Sequence, residues 1–177
     1  RCYSVFSTTK AISKAYKVSL LEKIMRPILN WPFAEGPEIY PIGPTVNGVN
    51  YGTDNAHVKR LGPGRYAIDI PTNFQHLPVL SAAQYEAEVT AIFYDPEGGV
   101  TVDYVWTDRD NVHWRIRNCH FHTLGIYLEW EVYVQVGSIL PVGGTIGLTG
   151  MSGNATGIHL HTVTWRNNIR IPSEPLY

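Results

Sequence analysis

GLTGMSGNATGIHLHTVTW, running from Gly147 to Trp165, is a glycine-studded loop that leads directly into two histidines one residue apart. In a β-strand the side chains at i and i+2 leave the same face. His159 and His161 therefore project together, and Leu160 turns the other way into apolar packing. Two imidazoles side by side suit a metal site or an acid/base pair. They equally suit a pair of half-buried strand histidines bonded to their neighbours, so the rest of the chain has to decide.

Working outward, the surrounding sequence alternates in the manner of strands. EAEVTAIFY and GVTVDYVW flank the turn DPEGG, a hairpin signal. RYAIDI (Arg65 to Ile70) is a short apolar strand, VHWRIRNCHFH alternates, and IYLEWEVYVQV puts Ile126, Leu128, Trp130, Val132, Val134 and Val136 on one face. The expected class is mainly β: an antiparallel, sandwich-like sheet domain. A helix is expected only over Thr8 to Met25, where Ile12, Ala15, Tyr16, Leu20, Leu21, Ile24 and Met25 recur at helical spacing and Pro27 stops the run. Residues 1–30 then form an N-terminal helical arm and residues 31–177 the β domain. Within the latter, 31–63 is an irregular lead-in, rich in Pro, Gly and Asn, with at most short strands, and 64–165 is the motif-bearing core.

Composition narrows the functions. At 177 residues and a formal net charge of −1, with no basic run, the chain gives no footprint for nucleic acid or an anionic membrane surface. No apolar stretch reaches the roughly 18 residues of a transmembrane segment. The sequence begins at Arg1 rather than Met, which is read as a processed product or a piece of something longer. Two cysteines, Cys2 and Cys119, do not make a disulfide framework.

Upstream of the loop, VQVGSILPVGGTIG sets Val134, Gly137, Leu140, Gly143 and Ile146 at three-residue steps. Glycines at such steps permit tight turns and close backbone approach between short strands. With Gly150, Ser152, Gly153, Asn154 and Gly157 leading into His159-Leu160-His161, the string resembles the lysostaphin or LytM-type zinc endopeptidases. The resemblance covers roughly Gly64 to Trp165.

It implies roles for individual residues. His161 becomes a zinc ligand and His159 a catalytic residue. His120, in NCHF, stands for the catalytic histidine that ends the preceding strand, with Asn118 where the family has Tyr; His122 is the fallback. Asp69 falls on the aspartate ligand of the H-x-x-x-D motif, and Arg65 falls on its histidine. That altered position matters, because arginine stays protonated and has no lone pair for a metal. An Arg65–Asp69 ion pair would fill the vacated place. Alternatively His57, in NAHVKR, folds back from the preceding segment as the third ligand, or His76, in NFQH, swings in from the following one. His113 has no supporting pattern and reads as structural.

The resemblance implies a zinc cofactor and a peptidase acting on peptidoglycan peptide cross-links, in an extracytoplasmic setting: the cell envelope, a secreted form or a virion. The alternative is a catalytically degenerate domain of the same fold, used for binding, regulation or as part of a larger assembly such as a phage tail, attached through its N-terminal arm. Four of the five family polar positions are kept: Asp69, His120, His159 and His161. A Cys119–His120 dyad is disfavoured, because neighbours on a strand face opposite ways.

Overall fold

EAEVTAIFY, GVTVDYVW, VHWRIRNCHFH and the end of RYAIDI form strands, whereas Val134 to Val136, the described end of the IYLEWEVYVQV run, do not. The computed structural model describes residues 29–34, 45–46, 49–50, 53–72, 75–124, 134–173 and 176–177. In chain order the elements are β1 (Thr45–Val46), β2 (Val49–Asn50), α1 (Asp54–Leu61), β3 (Ile68–Pro71), β4 (Pro78–Leu80), β5 (Ala87–Asp95), β6 (Gly99–Thr107), β7 (His113–Leu124), β8 (Ile139–Leu140), β9 (Thr145–Thr149), β10 (His159–Arg166) and β11 (Ile169–Ile171). The expected helix over Thr8 to Met25, Cys2, and the Ile126 strand up to residue 133 lie outside the described residues.

All pairings are antiparallel. β1 and β2 pair with each other, and the remaining strands form one nine-stranded sheet along the path β11-β10-β7-β6-β5-β8. β3 also pairs β10, and β9 bridges β4 and β7. β10 is the hub: one edge takes β7, and the other takes β3 over its first half and β11 over its second.

Strand alternation gives this sheet two unlike faces. On one, Leu160, Ile116, Trp114, Val102, Tyr104 and Trp106 join the buried core with Ile68, Ile70 and Val89. On the other, His161, Val163 and Trp165 of β10 stand beside Cys119, Arg117 and Arg115 of β7. The mainly antiparallel β architecture is therefore as the sequence implies. Within the expected irregular lead-in, however, α1 is a real helix. Thr53 accepts a hydrogen bond from Ala56 N at its N-terminus, and Gly62, at φ 103°, closes its C-terminus by donating to Val58 O.

Two irregularities set up the open face. First, β7 carries a bulge: Val100 lies opposite Phe121 but Val102 lies opposite Asn118, leaving an extra residue on β7. His120 takes up the difference at φ 64°. β7 leaves β10 after Cys119 and meets β9 from Phe121, so the bulge sits where the strand changes partners.

Second, the loop before β10 is clamped to the β5–β6 turn. Ser152 Oγ accepts from Val100 N (2.9 Å) and donates to Phe121 O (2.8 Å). A Cβ on Gly153 would strike the backbone nitrogen of Gly99, and one on Gly99 would strike the Ser152 backbone. Both glycines have positive φ, 73° and 63°, which an L side chain adopts at a cost. The glycines of the quoted stretch thus let two backbones touch.

Candidate metal and catalytic centre

At the start of β10, register places His161 opposite Asp69 of β3. His161 Nδ1–H donates to Asp69 Oδ1 at 2.6 Å. From the third side comes His57, one turn into α1 and 1% exposed. Its Nδ1–H donates to Thr53 O at 3.0 Å, which leaves Nε2 directed at Asp69 Oδ2, 3.5 Å away. That Nε2 is buried and makes no hydrogen bond. One ligand atom from each of His57, Asp69 and His161 falls within 4.8 Å of the others.

Two nitrogens and a carboxylate oxygen around a common point, one of them an orphaned buried lone pair, match what zinc takes in a catalytic site with a position left open. The donor set fits the metal that the sequence resemblance implies. The hydrogen bond from His57 to the Thr53 carbonyl is the outer partner that fixes a ligating imidazole's tautomer.

His159 and His120 flank the cluster. The His159 Nδ1–H donates to Gly157 O (2.8 Å), and its Nε2 is 3.7 Å from Asp69 Oδ1. His120 Nδ1–H donates to Ser152 O at 2.7 Å. The His120 ring centroid lies 4.6 Å from that of His159 and 5.8 Å from that of His161. Each of these two imidazoles has one nitrogen held by a backbone carbonyl and the other free for chemistry.

The electrostatics follow from burial and crowding. Burial, helped by the neighbouring His159 and His161, pushes His120 down to about 4, against the Ser152 hydrogen bond and Asp69. Burial also lowers His57, although Asp69 opposes it. Both are neutral near pH 7. For Asp69, burial pushes the carboxyl up, but the hydrogen bond from His161 and the charges of His161, His159 and His57 outweigh it and leave the group below its ordinary value. The centre thus sets an anionic Asp69 carboxylate among histidines of which His57 and His120 are held neutral by burial.

No protein-family model and no curated protein match the sequence. Solved structures do. The chain is similar to a zinc-containing peptidase from Vibrio cholerae, with TM-score 0.58 and 22% identity over 84% of this chain and 39% of that one. It is also similar to a putative M23 peptidase from Pseudomonas aeruginosa (TM-score 0.54, 19% identity, 89% of this chain and 58% of that). A third is the antimicrobial peptidase lysostaphin from Staphylococcus simulans (TM-score 0.53, 21% identity, 81% and 51%). This chain has a LytM-type fold. It spans between 39% and 58% of the length of those three.

On the LytM-type sheet, the residues named from sequence separate into two groups. Asp69, His120, His159, His161 and His57 come together. Arg65 does not: its side chain is exposed, and the ion pairs of Asp69 are with His57, His159 and His161. The expected Arg65–Asp69 pair is not formed; on that side Asp69 has His57 of α1 beside it, at 3.5 Å.

His122 also stays outside, since the bulge breaks the i, i+2 relation with His120. It is exposed and stacks on His76, with centroids 4.2 Å apart, while the His76 Nδ1–H donates to Thr149 O (2.6 Å). His113, at the far end of β7, bonds Thr107 Oγ1 at 2.9 Å. Cys119 is a buried free thiol that burial pushes up to about 12, which suits packing and not nucleophilic attack.

The sequence reading missed the parts played by Thr53 and Ser152. Thr53 precedes the helical segment as an N-cap, a signal that would have put His57 on a helix. For Ser152, which orients His120 through its carbonyl, no local signal exists.

Proposed function

We propose that the chain is a zinc-dependent endopeptidase domain that cleaves peptide cross-links of peptidoglycan outside the cytoplasm. The observation that carries this reading is the convergence of His57, Asp69 and His161 within 4.8 Å, beside two histidines that are tethered through Nδ1 and share the same pocket of the sheet.

His57 Nε2, a carboxylate oxygen of Asp69 and a ring nitrogen of His161 would hold the metal. When bound, zinc supplies Lewis-acid polarisation of a peptide carbonyl and makes water acidic enough to attack near neutral pH. The protein's own groups do the remainder. His159, held through Nδ1 by Gly157 O, presents Nε2 to take a proton from the attacking water and return it to the leaving amine. His120, held neutral by burial and by Ser152 O, faces the same space and orients that water.

A second reading has one observation in its favour. The chain is also similar, at TM-score 0.53 and 13% identity, to a chain of the SpoIIQ–SpoIIIAH pore-forming complex, of which it covers 88%. A domain of this fold can therefore serve an assembly, which suits a binding or structural role.

The deciding experiment is zinc content after dialysis combined with hydrolysis of cross-linked peptidoglycan before and after chelation. About one zinc per chain, with activity lost to chelator and restored by zinc, is the expected result. A folded chain that neither holds zinc nor cleaves the polymer supports the assembly role instead.

A further inference from the structure

The face of the sheet that carries the two histidines continues beyond them, over a buried Val163. Along β10, His161, Val163 and Trp165 point the same way. Trp165 lies about 13 Å from His161, four residues at about 3.3 Å each. It is paired across β7 with Arg115 and across β11 with Arg170. The Arg115 guanidinium carbon sits 3.9 Å from the Trp165 ring centroid. Arg117, one rung nearer the histidines, is bound in a fork by Asp103 (2.7 and 2.8 Å).

The two arginines of β7 are in different states. Arg117 has given its in-plane donors to a carboxylate. Arg115 spends only its flat face, on the indole. Its Nε is buried without a hydrogen-bond partner, and no ion pair of Arg115 occurs among the described residues. With Nε closed off from solvent, a planar anion would dock edge-on against the Nη end of the stacked guanidinium, whose plane the indole fixes. Beside it opens a cavity of about 700 Å³ whose walls include Arg115, Val105 and Thr107.

We infer that Arg115, backed by Trp165, is a subsite for a carboxylate of the peptide substrate, holding the chain about four extended residues from the bond at His159 and His161. The inference rests on the peptidase reading for the direction in which the peptide lies, and it adds the chemistry selected: an acidic peptide. The same cavity is also lined by Glu86 and Glu88, with Glu88 paired to Val105, the neighbour of Arg115 across the sheet.

The test measures affinity separately from hydrolysis. Uncross-linked stem-type peptides are titrated calorimetrically in chelator against the full 177-residue chain, once with free carboxylates and once fully amidated. The acidic form is expected to bind about tenfold or more tightly, as a hydrogen-bonded ion pair allows. Arg115→Gln is expected to remove that preference without changing the amidated peptide's affinity. Arg115→Lys, which keeps the charge and loses the fork, is expected to keep only part of it and guards against a folding defect in the first variant.

Equal affinities for acid and amide, or a preference that survives Arg115→Gln, would overturn the subsite even in an active peptidase. Tighter binding of a polyglycerol phosphate than of the acidic peptide would overturn it too. Conversely, an acid preference that depends on Arg115 in a chain without zinc or hydrolysis would sustain the subsite while the peptidase reading fell.

Discussion

His57 Nε2 points at Asp69 Oδ2 from 3.5 Å, although one belongs to a helix and the other to a strand. If the centre holds zinc as proposed, this contact makes the apparent loss at Arg65 a relocation. A ligand on α1 can replace one on the strand because a metal registers donor atoms in space, not their order along the chain. His57→Ala is therefore expected to weaken zinc binding by more than the ~10–100-fold typical of losing a residue that merely supports a ligand. Arg65→His should change it little. Zinc titration of the two variants checks this, and strong gain in Arg65→His with no loss in His57→Ala would remove His57 from the site.

Within His-Leu-His the division of labour is equally testable. His161 Nδ1 lies 2.6 Å from Asp69 and His159 Nε2 3.7 Å from it, and His161 is the one that groups with the other two donors. His159→Ala should cut hydrolysis by about 10²–10⁴-fold, the usual worth of a positioned acid–base group, with zinc content nearly unchanged. His161→Ala should lose both. Equal metal loss in the two variants would defeat the assignment.

How much of this was legible beforehand depended on the range of the signal. The period-2 runs of β5, β6 and β7 declared their own strands, and the His159-Leu160-His161 alternation declared which side chains share a face. α1 is short and polar, so no apolar stripe marks it, and its buried His57 is held by a tertiary contact that no local pattern encodes. His120 shows the opposite limit. Its place in the motif was readable, but its aim comes from a bulge, and a bulge depends on how two strands pair. The Arg115–Trp165 stack likewise needs the β7–β10 register, which the sequence of either strand alone does not contain.

The clamp between the histidine loop and the β5–β6 turn predicts a steric phenotype. At Gly153 both the positive φ and the contact with the Gly99 backbone exclude a side chain. Gly153→Ala should destabilise the fold by about 1–3 kcal/mol, the usual cost of overpacking. Because Ser152 O holds His120, it should also lower hydrolysis beyond what the stability loss explains. Gly137→Ala offers a control. It has a positive φ of 89° but nothing within 4 Å of the added Cβ, so it should cost stability alone. Urea midpoints and kcat/KM of the two variants separate these effects.

Cys119 should be chemically silent in the folded chain. Its thiol is 5% exposed and pushed by burial up to about 12, so almost no thiolate exists at pH 8. In a Cys2→Ser background, iodoacetamide should leave the native protein unlabelled at pH 8 and label it once in guanidinium. Rapid native labelling, accompanied by loss of hydrolysis, would reopen a thiol mechanism.

The metal-free chain should lose stability as pH falls, and the sign follows from the buried imidazoles. His120 titrates near 4 when folded, against 6.5 for the free side chain, and His57 is lowered in the same direction. Between those values the unfolded chain binds more protons than the folded one, so stability rises with pH across that window and levels off above it. Asp69 is also lowered, so its contribution is present above the unfolded carboxyl value of 3.8 and disappears as pH drops through the folded one. Urea midpoints in chelator, taken from pH 7 down to pH 4, should therefore decline continuously. His120→Asn, which can still donate to Ser152 O but does not titrate, should flatten the upper part of that decline. A His120→Asn profile parallel to the parent's would show that the imidazole is not buried in its neutral form.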